Sequence, residues 1–347
     1  MSVKTLNNFD IIRLFAATQV CLSHATAHFG LHNSFFNFFL GLFPGVPIFF
    51  FVSGFLIYGS YEKSKENISP NLNFFMKRFL RLYPALWLCF VLSLFSIWQS
   101  GYFSRLDLNP AELTAWIISQ VTFFQFYNPD FMREYGVGVL NGSLWTISIE
   151  IQFYLLTPLL FILLNQNSKK MIVSLLILLV FLNVFNAQLH ERANIYQKLF
   201  NVSFLPWFYM FILGSLTYKY SYLLKKRIKK LSFIYLILFY VIIYFLTKSV
   251  GWGSGLNPVA FVILIILIIK SAYTAPHFSD SILKGNDFSY GIYILHMPII
   301  NYLIYLNVKN VNGVVITLLA TSFLAILFWF FVEKKSLNYK KNSLRKA

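Results

Sequence analysis

Charge is what this chain has least of. Asp, Glu, Lys and Arg make up 12% of its 347 residues, whereas 58% are hydrophobic and 40 are Phe. Too little polar surface remains to cover a soluble fold, and the composition belongs to the membrane class. No polar stretch of domain size separates the apolar runs. A single membrane domain over residues 1–347 is therefore expected. Acidic residues are the scarcer sign, 12 against 29 Lys and Arg, for a net charge of +17. Such an excess can signal nucleic acid. Here the cations cluster between apolar runs, as in loops that face the cytoplasm and anionic lipid, and no RNA- or DNA-binding motif is present.

Other absences narrow the chemistry. Only two cysteines occur, Cys21 and Cys89, both inside apolar runs. They offer no disulfide framework and no metal spacing, and read as small packing residues. The sequence lacks a P-loop, a GxGxxG, an HExxH and a GxSxG, and it has no internal repeat or low-complexity linker. The first apolar run contains Arg13, Gln19 and His24. A cleaved signal has a cleaner core, so the run is expected to be retained as a first span.

What is present is a series of apolar runs of membrane length, roughly 20 residues each. They cover 9–29, 44–61, 74–98, 144–164, 170–187, 204–220, 230–248, 256–271, 289–308 and 312–333. An all-α polytopic bundle of about ten transmembrane helices, with both termini cytoplasmic, puts 22 Lys and Arg on the cytoplasmic side and 6 outside. An eleventh span at 112–127, a run interrupted by Glu112, Gln120 and Gln125, would send Lys225, Lys226, Arg227, Lys229 and Lys230 outward against the positive-inside rule. Residues 112–127 are therefore expected to lie on or dip into the outer side, within the long outer segment 99–143. The basic tail 334–347 is expected on the inner lipid surface.

A charged or strongly polar side chain within hydrocarbon is a functional candidate by default. Arg13 and His24 share the first span. Eleven positions make three turns plus about 20°, so they lie on one face about 16 Å apart, with Arg13 towards the cytoplasm. Arg13 alone could instead snorkel to inner headgroups. Glu150 lies about 9 Å into its span and His24 about 8 Å into its own. At matching depth a carboxylate could orient an imidazole and support its protonated form; Glu150 could also be a structural hydrogen-bonding group. Arg78 and Arg81 are neighbours on one helix face, suited to phosphate or to ordinary interfacial anchoring. Tyr293 and His296 lie in the inner half of the ninth span, His296 about 10 Å from its edge. They read as lining of a buried path or as belt and interhelical contacts. Pro44, Pro47, Ser53 and Gly54 read as an irregular helix start and a close helix contact. His28 and His32 follow His24, but no carboxylate or third ligand accompanies them, and no metal is expected.

Five stretches taken in order resemble the acyltransferase-3 family of membrane acyltransferases. They are Arg13 with His24 eleven residues on; PIFFFVSGFLI at 47–57; RFLRLYP at 78–84; SLWTISIEIQFYLLTP at 143–158; and FSYGIYILHMPI at 288–299. The stretches run from the first span to the ninth. One departure is Ile151, where the family's paired acidic residues leave only Glu150.

The resemblance implies transfer of an acyl group, usually acetyl from acetyl-CoA, to a hydroxyl of an extracytoplasmic glycan such as O-antigen of lipopolysaccharide, capsule or exopolysaccharide. A bacterial inner membrane is the expected location. Some members carry a fused SGNH-type domain; here any second step is expected to need a separate protein. On this reading Arg13, Arg78 and Arg81 meet the CoA phosphates, and Tyr293 and His296 line the pantetheine path. His24, oriented by Glu150, acts as general base or accepts the acyl group covalently. The competing reading is a transporter or flippase for a lipid-linked sugar, which intramembrane His, Glu and Arg also suit. The missing repeat speaks against it.

Overall fold

Backbone buried in hydrocarbon must find its hydrogen-bond partners within the protein, and an α-helix does so within one segment. The computed structural model describes residues 7–31, 34–166, 168–188, 195–247 and 256–343, and among them there is no strand. The described α-helices are, in chain order, α1 (Phe9–His28), α2 (Ser34–Leu42), α3 (Gly45–Ser64), α4 (Pro70–Gln99), α5 (Pro110–Val121), α6 (Trp145–Gln166), α7 (Lys169–Gln188), α8 (Ile195–Asn201), α9 (Phe208–Lys219), α10 (Ser221–Ile228), α11 (Phe233–Thr247), α12 (Pro258–Tyr273), α13 (Phe278–Leu283), α14 (Ser289–Tyr305), α15 (Asn310–Phe328) and α16 (Lys334–Ser343). His32 and residues 344–347 of the tail fall outside the described residues.

Every predicted span carries a helix. Five helical stretches are long and apolar enough to cross a membrane: Phe36–Ser64, Pro70–Gln99, Trp145–Gln166, Lys169–Gln188 and Asn310–Asn338. A sixth joins them if α10 and α11, bent by 102°, form one broken span. These helices fit a multi-pass membrane protein. The remaining predicted spans fall on shorter or more polar helices. α9 has 12 residues, α12 16 and α14 17, and α1 carries Asp10, Arg13 and His24. α5 is only 12 residues long, about 18 Å, against a hydrocarbon core of about 30 Å. By length alone neither α5 nor the equally long α9 spans that core.

The chain forms two compact units, each discontinuous in sequence. The first gathers residues 1–16, 41–71 and 152–287. Its tightest contact is α3 against α9, where a Cβ at Gly54 would overlap the Phe211 carbonyl and one at Gly214 would overlap that of Phe51. The bare backbones touch, and the Ser215 hydroxyl sits between Phe211 O at 3.0 Å and Gly54 O at 3.2 Å. Small residues let helices approach in this way where lipid gives no hydrophobic drive for association. Gly54→Ala is expected to lower stability by about 1–3 kcal/mol, read as a lower unfolding temperature in detergent; an unchanged midpoint would show that the crossing can open without cost.

The second unit gathers residues 17–40, 72–151 and 288–347. In it, α1 packs Ala25 and Phe29 against Met297 and Ile300 of α14 and Val314 of α15. The segment 99–143 folds on α4 through Phe90, Ile97, Tyr102, Trp116 and Tyr135. Ser96 Oγ uses its proton on Ser93 O, so Tyr135 donates to Ser96 at 3.2 Å. Burial raises the Tyr135 pKa, which keeps that proton in place.

Candidate functional site

The chemistry gathers in the second unit, around α14. Pro298 has no N–H, so the Ile294 carbonyl one turn back loses its helical partner. Two side chains take its place: Asn141 Nδ2 at 2.7 Å and Cys89 Sγ at 3.2 Å. Asn301, fully buried, donates to the Val139 and Leu140 carbonyls and accepts from Val137 N at 2.8 Å. Tyr293 OH lies 2.6 Å from Thr146 Oγ1 and 3.2 Å from Ser143 O. The segment before α6 is thus stapled along the polar edge of α14. A buried network with its partners satisfied holds one geometry.

His296 sits inside this frame with no exposed surface. Its Nδ1 lies 3.1 Å from Ile292 O, and its Nε2 lies 2.9 Å from His24 Nδ1. A carbonyl can only accept, so His296 Nδ1 carries the proton and its Nε2 offers a lone pair. His24 must then donate through Nδ1. Its own Nε2 is left with the lone pair, on a side chain that stays partly exposed. Two histidines in series therefore place one basic nitrogen at a defined position. The rings are stacked with centroids 5.1 Å apart, and the exposed His28 ring lies 6.2 Å further along α1.

The other expected residues are placed as follows. Glu150 on α6 is partly buried and within electrostatic reach of Tyr293. The described partner of His24 Nδ1, the nitrogen a carboxylate would orient, is His296. Tyr293 contacts His296 edge-on, with centroids 6.0 Å apart. Arg81 on α4 pairs with Glu333 at 3.0 Å, and Glu333 is 2% exposed. The Arg81 guanidinium also lies over the Tyr290 and Trp329 rings. Glu333 ends a five-residue π-helical turn after α15, a local widening often found at functional positions. The Arg78 guanidinium lies over the Phe74 ring. In the first unit, Arg13 Nη1 pairs with Asp287 Oδ2 at 2.5 Å.

Sequence reading missed Asn141, Asn301, Asp287 and Glu333. The two carboxylates are among only 12 acidic residues and flank apolar runs, Asp287 just before the one that opens at Phe288 and Glu333 just after Val332, a signal that could have marked them as counter-charges for the arginines. The two Asn side chains carried no such signal, because the groups they staple to, Ile294 O for Asn141 and the 137–140 backbone for Asn301, are remote in sequence. No group of three or more His, Cys, Asp or Glu that could hold a metal occurs among the described residues.

Comparison with known proteins agrees in one direction. The sequence model of the acyltransferase-3 family, described as an acyltransferase domain, matches residues 6–333. The chain is 29% identical to Nodulation protein 10 of Rhizobium leguminosarum bv. viciae, over 96% of this chain and 94% of that protein. It is 27% identical to the O-acetyl transferase of Shigella phage Sf6, over 95% of this chain and 96% of that protein. A third similarity, 28% over 45% of this chain, is to the peptidoglycan O-acetyltransferase OatA of Listeria monocytogenes, of which it covers 24%. No solved structure shows a significant match. With the family model spanning nearly the whole sequence, the chain belongs to the acyltransferase-3 family and is an enzyme that transfers acyl groups.

Proposed function

We propose that this enzyme is a membrane O-acyltransferase of the bacterial inner membrane. It moves an acyl group, acetyl from acetyl-CoA, from the cytoplasmic side to a hydroxyl of a cell-envelope glycan. The observation that carries the proposal is the directed hydrogen bond from His24 Nδ1 to His296 Nε2. It leaves His24 Nε2 as a base of fixed tautomer, which is what removal of a proton from a sugar hydroxyl requires. The relatives whose names specify O-acetyl transfer favour the oxygen acceptor.

In the proposed step, His24 Nε2 takes the hydroxyl proton as the sugar oxygen attacks the thioester carbonyl. The C–S bond breaks, the proton on His24 passes to the departing thiolate, and the ester and free CoA leave. His24 is the catalytic residue and His296 positions it. Glu150, within electrostatic reach of Tyr293, is the proposed support for the imidazolium formed in the step, acting through the Tyr293 ring that contacts His296. Arg13, Arg78 and Arg81 are the proposed phosphate contacts. Asp287 and Glu333 hold two of these guanidinium groups in place before donor arrives. Tyr293 borders the proposed path of the pantetheine arm, whereas His296, with no exposed surface, acts through His24.

The test supplies acetyl-CoA radiolabelled in its acetyl group to membranes containing the protein and measures label in envelope polysaccharide. Label is expected in base-labile ester linkage and absent when His24 is replaced. Label confined to CoA or lipid, or equal in the variant, would remove the proposal.

A further inference from the structure

The first unit contains a cleft of about 630 Å³, lined by none of the residues assigned to the transfer step, between the end of α10 and the end of α12. Its walls carry three lysines, Lys225, Lys229 and Lys270, together with Tyr273 and Thr274, and no acidic residue. The cleft is built rather than incidental. Lys270 Nζ reaches across to the carbonyls of Ile228 and Lys229, at 3.4 and 3.1 Å, and caps the α10 C-terminus. Lys225 Nζ lies 4.1 Å from the centroid of the Tyr273 ring. A cation over an aromatic face keeps its charge while its position is fixed.

Carbonyl oxygens at the end of α12 would oppose an anion, but they point elsewhere. Asn8 Nδ2 takes the carbonyls of Ser271, Thr274 and Ala275, at 3.2, 2.7 and 3.2 Å, and Asn8 N takes that of Ala272 at 2.9 Å. Asn8 Oδ1 accepts from Ser279 N at 3.0 Å and completes the staple. Among the described residues, neither Lys225 nor Lys229 is in an ion pair. Cations gathered without a counter-charge repel one another, and a shared anion relieves that repulsion. Lys is a common point-charge ligand for phosphate.

We propose that this cleft is a binding site for a phosphate ester, held by the ammonium groups of Lys225 and Lys229 against a wall fixed by Lys270 and Tyr273. Two sources share that chemistry: the phosphates of a nucleotide-bearing acyl donor and the headgroup of an anionic phospholipid. The charge distribution assigns 219–230 and 270–288 to the cytoplasmic face, where both are found. The first source rests on the acyl-transfer reading; the second stands without it.

The experiment uses the purified full chain in nanodiscs. One arm titrates adenosine 3′,5′-bisphosphate in phosphatidylcholine discs. The other measures retention of phosphatidylglycerol against phosphatidylcholine by native mass spectrometry. Lys225→Gln/Lys229→Gln is compared with Lys226→Gln/Lys230→Gln, which removes the same charge from neighbouring exposed positions; Lys270 stays intact because it caps α10. The wild type is expected to bind one probe saturably, the first double variant at least tenfold more weakly, and the second within about twofold of wild type. The arm that responds names the source. Equal losses in both double variants would reduce the cleft to diffuse surface charge. Failure of the wild type to bind either probe would overturn the proposal outright.

Discussion

His24→Asn is expected to abolish acyl transfer while the protein stays folded. The Asn amide can occupy the position of Nδ1 and donate to His296 Nε2, so the 2.9 Å link survives in kind. What disappears is the lone pair on Nε2. A positioned general base contributes about 10²–10⁴-fold, so kcat is expected to fall by that factor. The unfolding midpoint in detergent is expected to stay near that of wild type. His24→Ala should fall at least as far, because it loses both nitrogens. The outcome that sinks the assignment is a folded His24→Asn protein with more than about a tenth of wild-type activity. The proton would then be leaving by another route, and Glu150 would be the next group to test.

The second large effect concerns His296, which touches His24 and nothing that reacts. In His296→Phe the ring volume stays but the acceptor goes, stranding the His24 Nδ1–H. An unsatisfied donor of this kind costs about 1–3 kcal/mol. Felt in the transition state, that is a fall of roughly 5–150-fold in kcat. His296→Gln puts a carbonyl oxygen near the lost Nε2 and is expected to recover most of the rate. KM for the acyl donor should change little in either variant. A purely structural role for His296 would make Phe the better tolerated replacement, since position 296 is fully buried. Phe outperforming Gln, or a loss confined to KM, would therefore end the positioning assignment. The paired substitution His24→Asn/His296→Gln should cost no more than His24→Asn alone, because residues that act as one unit are not additive.

The arginines show where sequence reasoning stopped short. Three guanidinium groups in apolar runs suggest an external anion, because unopposed cations in a low dielectric are costly. For Arg13 and Arg81 the opposing charge is internal. Asp287 and Glu333 arrive from 274 and 252 residues away, and no local pattern can pair positions so distant. Removing one partner of a buried pair costs about 3–5 kcal/mol, because the other charge is left stranded. Loss of donor binding in an Arg81 variant would therefore need a parallel measurement of folding before it counted as phosphate recognition.

Helix content and helix positions were legible because both depend on composition and run length. Apolar stretches in lipid have few alternatives to a helix, and each predicted run carries one. The short reach of α5 was legible for the same reason, through Glu112, Gln120 and Gln125. His24 stood out because an imidazole within an apolar run has an energetic cost that needs an explanation. Its partner was not legible. Depth along the membrane normal matched His24 to Glu150 and set His296 in the inner half of its own span, yet the 2.9 Å contact is with His296; depth says nothing about rotation around a helix axis or about which helices are neighbours. Those were decided by Ala25 and Phe29 packing on Met297 and Ile300, and by Pro298 freeing a carbonyl for Asn141 and Cys89. One-dimensional pattern thus determined what kind of molecule this is and which residues were too costly to be incidental. The tertiary structure alone decided which nitrogen of His24 carries the lone pair, since a tautomer is set by contacts between groups far apart in the chain.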